Sequence, residues 1–207
     1  MDSFIIRWWG TVLNALRWIS PFHLVRTMFP QTTKTYGFVD VWVIANLFAA
    51  VCAWLFISPD TAPRVAWLVF GYGALRVFEI VTYNLCVLFL HPISNKTFAF
   101  RSFRRSVILV LHNYCEVFFW FAAAYHHFAG HFGDKAGIVG SIDGSLYFSI
   151  ITMATVGYGD ITPQDALTRW MVIAHVCVSL FLTIIVIASF VSLLPTPLSL
   201  DPREKRK

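Results

Sequence analysis

Thr152-Met153-Ala154-Thr155-Val156-Gly157-Tyr158-Gly159-Asp160 is a short polar, glycine-bearing run set between two long apolar segments. An extended backbone turns successive carbonyls to opposite sides, so a row of carbonyls that all point one way needs alternating handedness. Gly157 and Gly159 allow positive φ at little steric cost. Thr155 can add its hydroxyl as a further oxygen at one end of such a row. Val156 and Tyr158 would then point away from it, where packing can fix its radius, and Asp160 closes the run with a carboxylate. A two-glycine turn of a soluble protein is the competing reading. Membrane-length apolar stretches on both sides argue against it.

Residue by residue, Thr155 to Asp160 spells TVGYGD, and with Thr152, Met153 and Ala154 it resembles the selectivity filter and pore helix of potassium channels, in which TVGYG is the established carbonyl filter. The resemblance covers residues 106–194 in the order outer helix, re-entrant helix, filter, inner helix. It implies that Thr155, Val156, Gly157, Tyr158 and Gly159 replace the hydration shell of a permeant K+, with no other cofactor. One run supplies a quarter of a pore, so four copies around an axis are implied. A second such run is absent, which removes a two-filter dimer. Tyr147, Phe148, Thr152 and Asp160 are the expected filter supports. Tyr147 and Phe148 stand where many family members carry two tryptophans, and Tyr147 can still donate a hydrogen bond to Asp160. Ile151 stands where some bacterial members place a glutamate. Asp143 is the expected N-cap of a pore helix from Gly144 to Ala154, whose C-terminal dipole would favour a cation.

Composition agrees with a membrane protein. Of 207 residues, 57% are hydrophobic and only 13% charged, too apolar for a soluble domain of this size. Cys52, Cys86, Cys115 and Cys177 all lie in apolar stretches, as small buried hydrophobes do. The net charge of +5 could suggest nucleic acid, but the basic residues sit in short blocks beside apolar spans.

The chain divides into four parts. Residues 1–38 form an arm: from Phe4 to Ile19, Arg7, Gly10, Asn14 and Arg17 recur at helical steps among tryptophans, predicting an amphipathic helix on the membrane surface, and Pro21 and Pro30 break the segment after it. Residues 39–105 hold two front spans, about 39–57 and 65–90, and a basic loop. Residues 106–194 are the pore module, with spans at about 106–128 and 166–194, and residues 195–207 a short basic tail. Each span meets the roughly 20 residues a helix needs to cross a bilayer. The fold class is therefore an all-α membrane protein, four transmembrane helices plus a re-entrant pore helix, assembled as a homotetramer. Lysine and arginine crowd one side: Arg7, Arg17, Arg26 and Lys34; Lys96, Arg101, Arg104 and Arg105; Arg203, Lys205, Arg206 and Lys207. The other side has Arg64, Lys135 and Arg169. The positive-inside bias places both termini in the cytoplasm of a cell membrane, with anionic lipids facing the basic segments. The sequon Asn95-Lys96-Thr97 then faces the cytoplasm and carries no glycan.

Span two has a single arginine, Arg76, with Glu79 one turn on and Glu116 in span three as an alternative partner, so an arginine-repeat voltage sensor is not expected. The inner helix has no glycine hinge. Ser179 occupies the matching region, and Ile184 or Ala188 could narrow a cavity and gate it by dewetting. Pro195-Thr196-Pro197 reads as helix termination. His126, His127 and His131, with Asp134 nearby, could hold zinc or sense external acid, or could be interfacial histidines; His175 reads as a packed polar residue. A passive potassium-selective channel is the expectation, not an enzyme. Its rivals are a non-selective cation channel, a silent modulatory subunit of another channel, and a transporter, the last disfavoured because paired interrupted helices are missing.

Overall fold

A computed structural model describes residues 4–31, 36–89, 103–134 and 136–191. Lys34, the sequon at 95–97 with the basic loop around it, Lys135, and the tail from 192, including the proline pair, lie outside the described residues. The chain forms α1 (Phe4–Leu16), a 3-10 turn (Arg17–Ile19), α2 (Pro21–Met28), α3 (Tyr36–Phe56), α4 (Pro63–Phe89) and α5 (Phe103–His127). After a second 3-10 turn come β1 (Phe132–Asp134), α6 (Ile142–Met153), β2 (Ile161–Pro163) and α7 (Ala166–Val191). Helices α3, α4, α5 and α7 are long and apolar enough to cross a membrane, which makes this a multi-pass membrane protein; the shorter α6 is not.

The arm is two helices, not one. Pro21 does not break the chain but opens α2 from its first turn, where a missing N–H costs nothing, and Ser20 caps it by accepting from the His23 N–H at 3.3 Å. Leu13 is the arm's buried apolar anchor, and both α1 and α2 lie against α4.

Helix α5 is the axis of the packing. Val117, Ala122, Ala123 and Tyr125 are fully buried in it, and α3, α4, α6 and α7 all lean on it. Against α3 the contact is made by Ala50, Ala53 and Ala123 with Ile57 and Trp120, the small residues through which membrane helices approach closely. Against α4 the Trp120 ring sits over Gly73, where a Cβ would meet it at 2.6 Å. A second cluster joins Ile80, Val117, Met153 and Leu182 where α4, α5, α6 and α7 converge. Near the start of α3 and α5, Arg105 bridges to Asp40 at 2.6 Å, so those two helices run side by side from the same end.

Strands β1 and β2 were not legible in the sequence. They form a two-stranded antiparallel ribbon with Phe132 opposite Pro163, Gly133 opposite Thr162 and Asp134 opposite Ile161. The ribbon links the segment after α5 to the segment after the TVGYGD run. A Cβ on Gly133 would lie 2.1 Å from the amide nitrogen of Gln164, an exposed side chain that would have to swing aside.

Candidate functional site

Helix α6 is short because its ends are capped within the chain. The N-cap is Ser141, not Asp143: Ser141 is extended and its hydroxyl accepts from the Gly144 N–H at 3.1 Å. Asp143 sits in the first turn instead, where hydrogen bonds from the Ser141 side chain and from backbone N–H groups hold its carboxyl below the usual carboxylate range. Gly144 is needed because any Cβ would strike the Ile138 carbonyl oxygen at 1.9 Å. Two side chains then fix the helix against the spans. Trp54 of α3 donates its indole N–H to the Ile142 carbonyl at 3.0 Å and lies 3.2 Å from the Ser145 hydroxyl, while Ser149 donates to the Phe118 carbonyl of α5 at 2.7 Å. Phe148 is buried among Tyr125 and Phe132, and Thr152 is buried near the helix end.

At its C-terminus the helix unwinds into the TVGYGD run. The Ala154, Thr155 and Val156 N–H groups return to the Ile150, Thr152 and Ile151 carbonyls at 2.8, 3.0 and 2.9 Å. Beyond them φ alternates in sign, with +57° at Thr155, +58° at Gly157 and +78° at Gly159. Thr155 is the only non-glycine with positive φ among the described residues, so Val156 and Tyr158 keep the ordinary sign. Left-handed backbone at a threonine costs roughly 1–2 kcal/mol and persists only where the surroundings impose it. All residues from Ala154 to Asp160 are exposed within the chain; the Val156 and Tyr158 side chains are 48% and 70% exposed, with no cover from their own helices. The run ends at Asp160, whose Oδ2 accepts from the Tyr147 hydroxyl at 2.8 Å. That bond holds the phenol proton and raises the Tyr147 pKa.

The remaining candidates separate. Arg76 does not choose between its two acids. Its Nε and Nη2 donate to both Glu116 oxygens at 2.9 and 2.8 Å, and its Nη1 donates to Glu79. Five guanidinium donors in a planar fork allow this. Ser179 is fully buried and donates to the His175 carbonyl at 2.6 Å, so it does not face a cavity, correcting that expectation; Ile184 and Ala188 are exposed. His175 stacks on Phe121 with ring centres 3.9 Å apart and lies 2.9 Å from the Tyr125 hydroxyl.

The zinc alternative for His126, His127 and His131 is not assembled. His127 reaches the Ser58 carbonyl at 2.7 Å, His126 is buried, and His131 pairs with Asp165 at 2.6 Å. His127 and His131 turn to different partners, and among the described residues no three His, Cys, Asp or Glu side chains could share a metal. Asp134 is taken up by the N–H groups of Ala136 and Val139. Asp165 caps α7 through the Thr168 N–H and hydroxyl, and these bonds with the His131 contact hold its carboxyl at about 2.

A short apolar helix thus delivers a backbone of alternating handedness inside a bundle of membrane-length helices. Residues 113–195 match the family model described as "Ion channel". It is 32% identical over 110 residues to two pore potassium channel c of Oryza sativa subsp. japonica, covering 48% of this chain and 24% of that protein. It is 43% identical over 47 residues to potassium channel subfamily T member 1 of Gallus gallus, covering 23% and 4%. It is 50% identical over 34 residues to probable potassium channel protein 2 of Methanocaldococcus jannaschii, covering 16% and 10%. The chain thus spans a quarter or less of the length of these relatives. No solved structure matches it.

Proposed function

We propose that the chain is the subunit of a homotetrameric channel that conducts K+ passively through the carbonyls of Thr155, Val156, Gly157, Tyr158 and Gly159. The observation that carries this reading is the alternation of φ at Thr155, Gly157 and Gly159, which turns successive carbonyls to one side as a dehydrating cation requires. The exposure of the whole run supports fourfold assembly, since non-helical backbone at membrane depth needs protein or channel water around it. Tyr147, Phe148, Thr152 and Asp160 support the filter, and Ile184 and Ala188 line the cavity side of α7. Residues 1–38, 39–105, 106–194 and 195–207 act as arm, front spans, pore module and tail, with both termini in the cytoplasm of the cell membrane. Of the two arginines in α4, Arg64 sits at its first turn and Arg76 is held by two acids, which leaves no repeated charge to move with voltage.

The test is reconstitution of the purified protein in planar bilayers with mixed K+ and Na+. The expected outcome is a tetramer whose reversal potential follows the K+ gradient. A stable monomer, or currents that treat K+ and Na+ alike, overturns the proposal. A tetramer that stays silent alone points to a modulatory subunit.

A further inference from the structure

The arm does more than lie beside the spans. Ser20 ends the 3-10 turn and opens α2, and its hydroxyl donates to Glu79 Oε1. The Phe22 N–H donates to the same oxygen at 2.6 Å. Glu79 lies ten residues from the α4 terminus at Phe89 (89 minus 79), roughly 15 Å along the helix at 1.5 Å per residue. Its other oxygen meets Arg76, and Arg76 holds Glu116 of α5, which also accepts from Trp120 at 3.2 Å. The contacts therefore run without a gap from arm to α4 to the outer helix of the pore module.

Formal charge explains why the arm belongs to this chain of contacts. One guanidinium stands between two buried carboxylates, leaving an excess negative charge. The positive end of α2 and the Ser20 hydroxyl are placed against it. Phe22 also packs on Trp42, whose ring lies 5.9 Å from the Arg76 guanidinium carbon. Lifting α2 away would strip two donors from a carboxylate that water does not reach.

The opposite side of the arm is built for something else. Phe4, Trp8, Trp9 and Trp18 are exposed, as are Arg17 and Arg26. From Phe4 to Gln31 there is no aspartate or glutamate. Aromatic rings beside arginines, with no acid among them and next to membrane-length helices, fit the headgroup layer of an anionic bilayer. We propose that the arm is a sensor of anionic phospholipid whose position is transmitted to the pore module through the Ser20/Phe22–Glu79–Arg76–Glu116 contacts. Lipid charge acts on Arg17 and Arg26, and the latch at Glu79 couples that pull to the seating of α5. This inference rests on the channel reading only for its current readout.

The test uses the full chain in vesicles of phosphatidylcholine alone or with added phosphatidylglycerol. Two readouts are taken: K+ flux, and the rate of tryptic cleavage at Arg17 and Arg26. Flux of the unaltered protein should differ about fivefold or more between the two lipids, the lower end of ordinary coupling between sites. Cleavage should be slower with phosphatidylglycerol. In Ser20→Ala the flux difference should fall below about twofold and cleavage should quicken in both lipids, while Ser20→Thr, which keeps the hydroxyl, should restore both. Glu79→Gln should act as Ser20→Ala does. Arg17→Gln/Arg26→Gln should abolish the lipid dependence of the flux. The latch is overturned by flux that passes equally in both lipids, or by a lipid dependence unchanged in Ser20→Ala. If no variant conducts, the channel reading fails, and cleavage unaffected by lipid or by Ser20→Ala still sinks the latch.

Discussion

The front half of the molecule and the TVGYGD run solve the problem of polar groups in a membrane in opposite ways. Around Arg76, one chain supplies everything: a guanidinium, two carboxylates and an indole N–H buried together, with the first turn of α2 laid against them. From Ala154 to Asp160 one chain supplies only the ends, through the caps of α6 and the bond from Tyr147 to Asp160, and leaves the middle bare. A polar cluster that is finished within the subunit stabilises the subunit. A backbone that is shaped but uncovered adds little to the stability of the chain that carries it.

Helix α7 carries the same contrast on its two sides. Thr168, His175 and Ser179 face the bundle, while Ile173, Leu180, Ile184, Ile187 and Val191 form an exposed apolar stripe at helical spacing. Polar-in and apolar-out is the reverse of a soluble helix, and the stripe is the surface left for neighbouring copies, lipid or the conduction path.

The largest effect should come from cutting into the finished cluster. Arg76→Ala leaves two buried carboxylates without their cation, a loss of about 3–5 kcal/mol, and thermal unfolding in detergent should show it as a steep fall in melting temperature. Replacing all three as Arg76→Met, Glu79→Gln and Glu116→Leu should recover most of that loss; failure to recover would mean that charge itself is needed for folding. Gly73→Ala, which drives a methyl into the Trp120 ring, should cost about 1–3 kcal/mol by the same measurement. The run should behave in the opposite way. Gly157→Ala puts a side chain at φ +58°, a strain of about 1–2 kcal/mol, and should abolish K+ flux while the melting temperature of the subunit barely moves. A melting change as large as that of Arg76→Ala would erase the distinction drawn between the two regions.

Smaller effects sharpen it. Tyr147→Phe removes one hydrogen bond, about 0.5–1.5 kcal/mol, and should hasten the decline of current during sustained opening with selectivity kept. Asp165 is depressed to about 2 by its bonds to Thr168 and His131. Its stabilising contribution is therefore complete above the ordinary value of 3.8 and disappears as pH falls through about 2. Melting temperature measured down that range should drop in the unaltered protein and drop less in Asp165→Asn.

Much of this arrangement was legible in the sequence, and the reasons for success and failure are physical. Four apolar spans announce themselves by length, and the TVGYGD run by glycines at alternate positions. Tyr147 could be paired with Asp160 because, of the two aromatics that stand where the resembled family carries tryptophans, only Tyr147 has a proton to donate. Arg76, Glu79 and Glu116 were all visible, but reading them as alternatives overlooked how many donors a guanidinium has. The ribbon was invisible because its strands are three residues long and contain Gly133 and Pro163, which read as turns. The histidines left a zinc site open beside the interfacial reading, because closeness in sequence says nothing of direction once α5 ends at His127 and the chain turns. Ser141 was passed over for Asp143 although both suit an N-cap, and only the extended backbone at Ser141 decides. Trp54 carried no local signal at all, since its partner lies 88 positions away.

The ribbon between β1 and β2 has one more consequence. It stitches the trailing end of α5 to the leading end of α7, and His131 adds its own ties, accepting from the Gln164 N–H and binding Asp165. Two rods sewn together at one tip can part only at the other. Any rocking of α5 against α7 is therefore held smallest beside the ribbon next to Asp160 and grows toward Phe103 and Val191, against the packing of Val117 on Leu182 and the Tyr114–Thr183 contact.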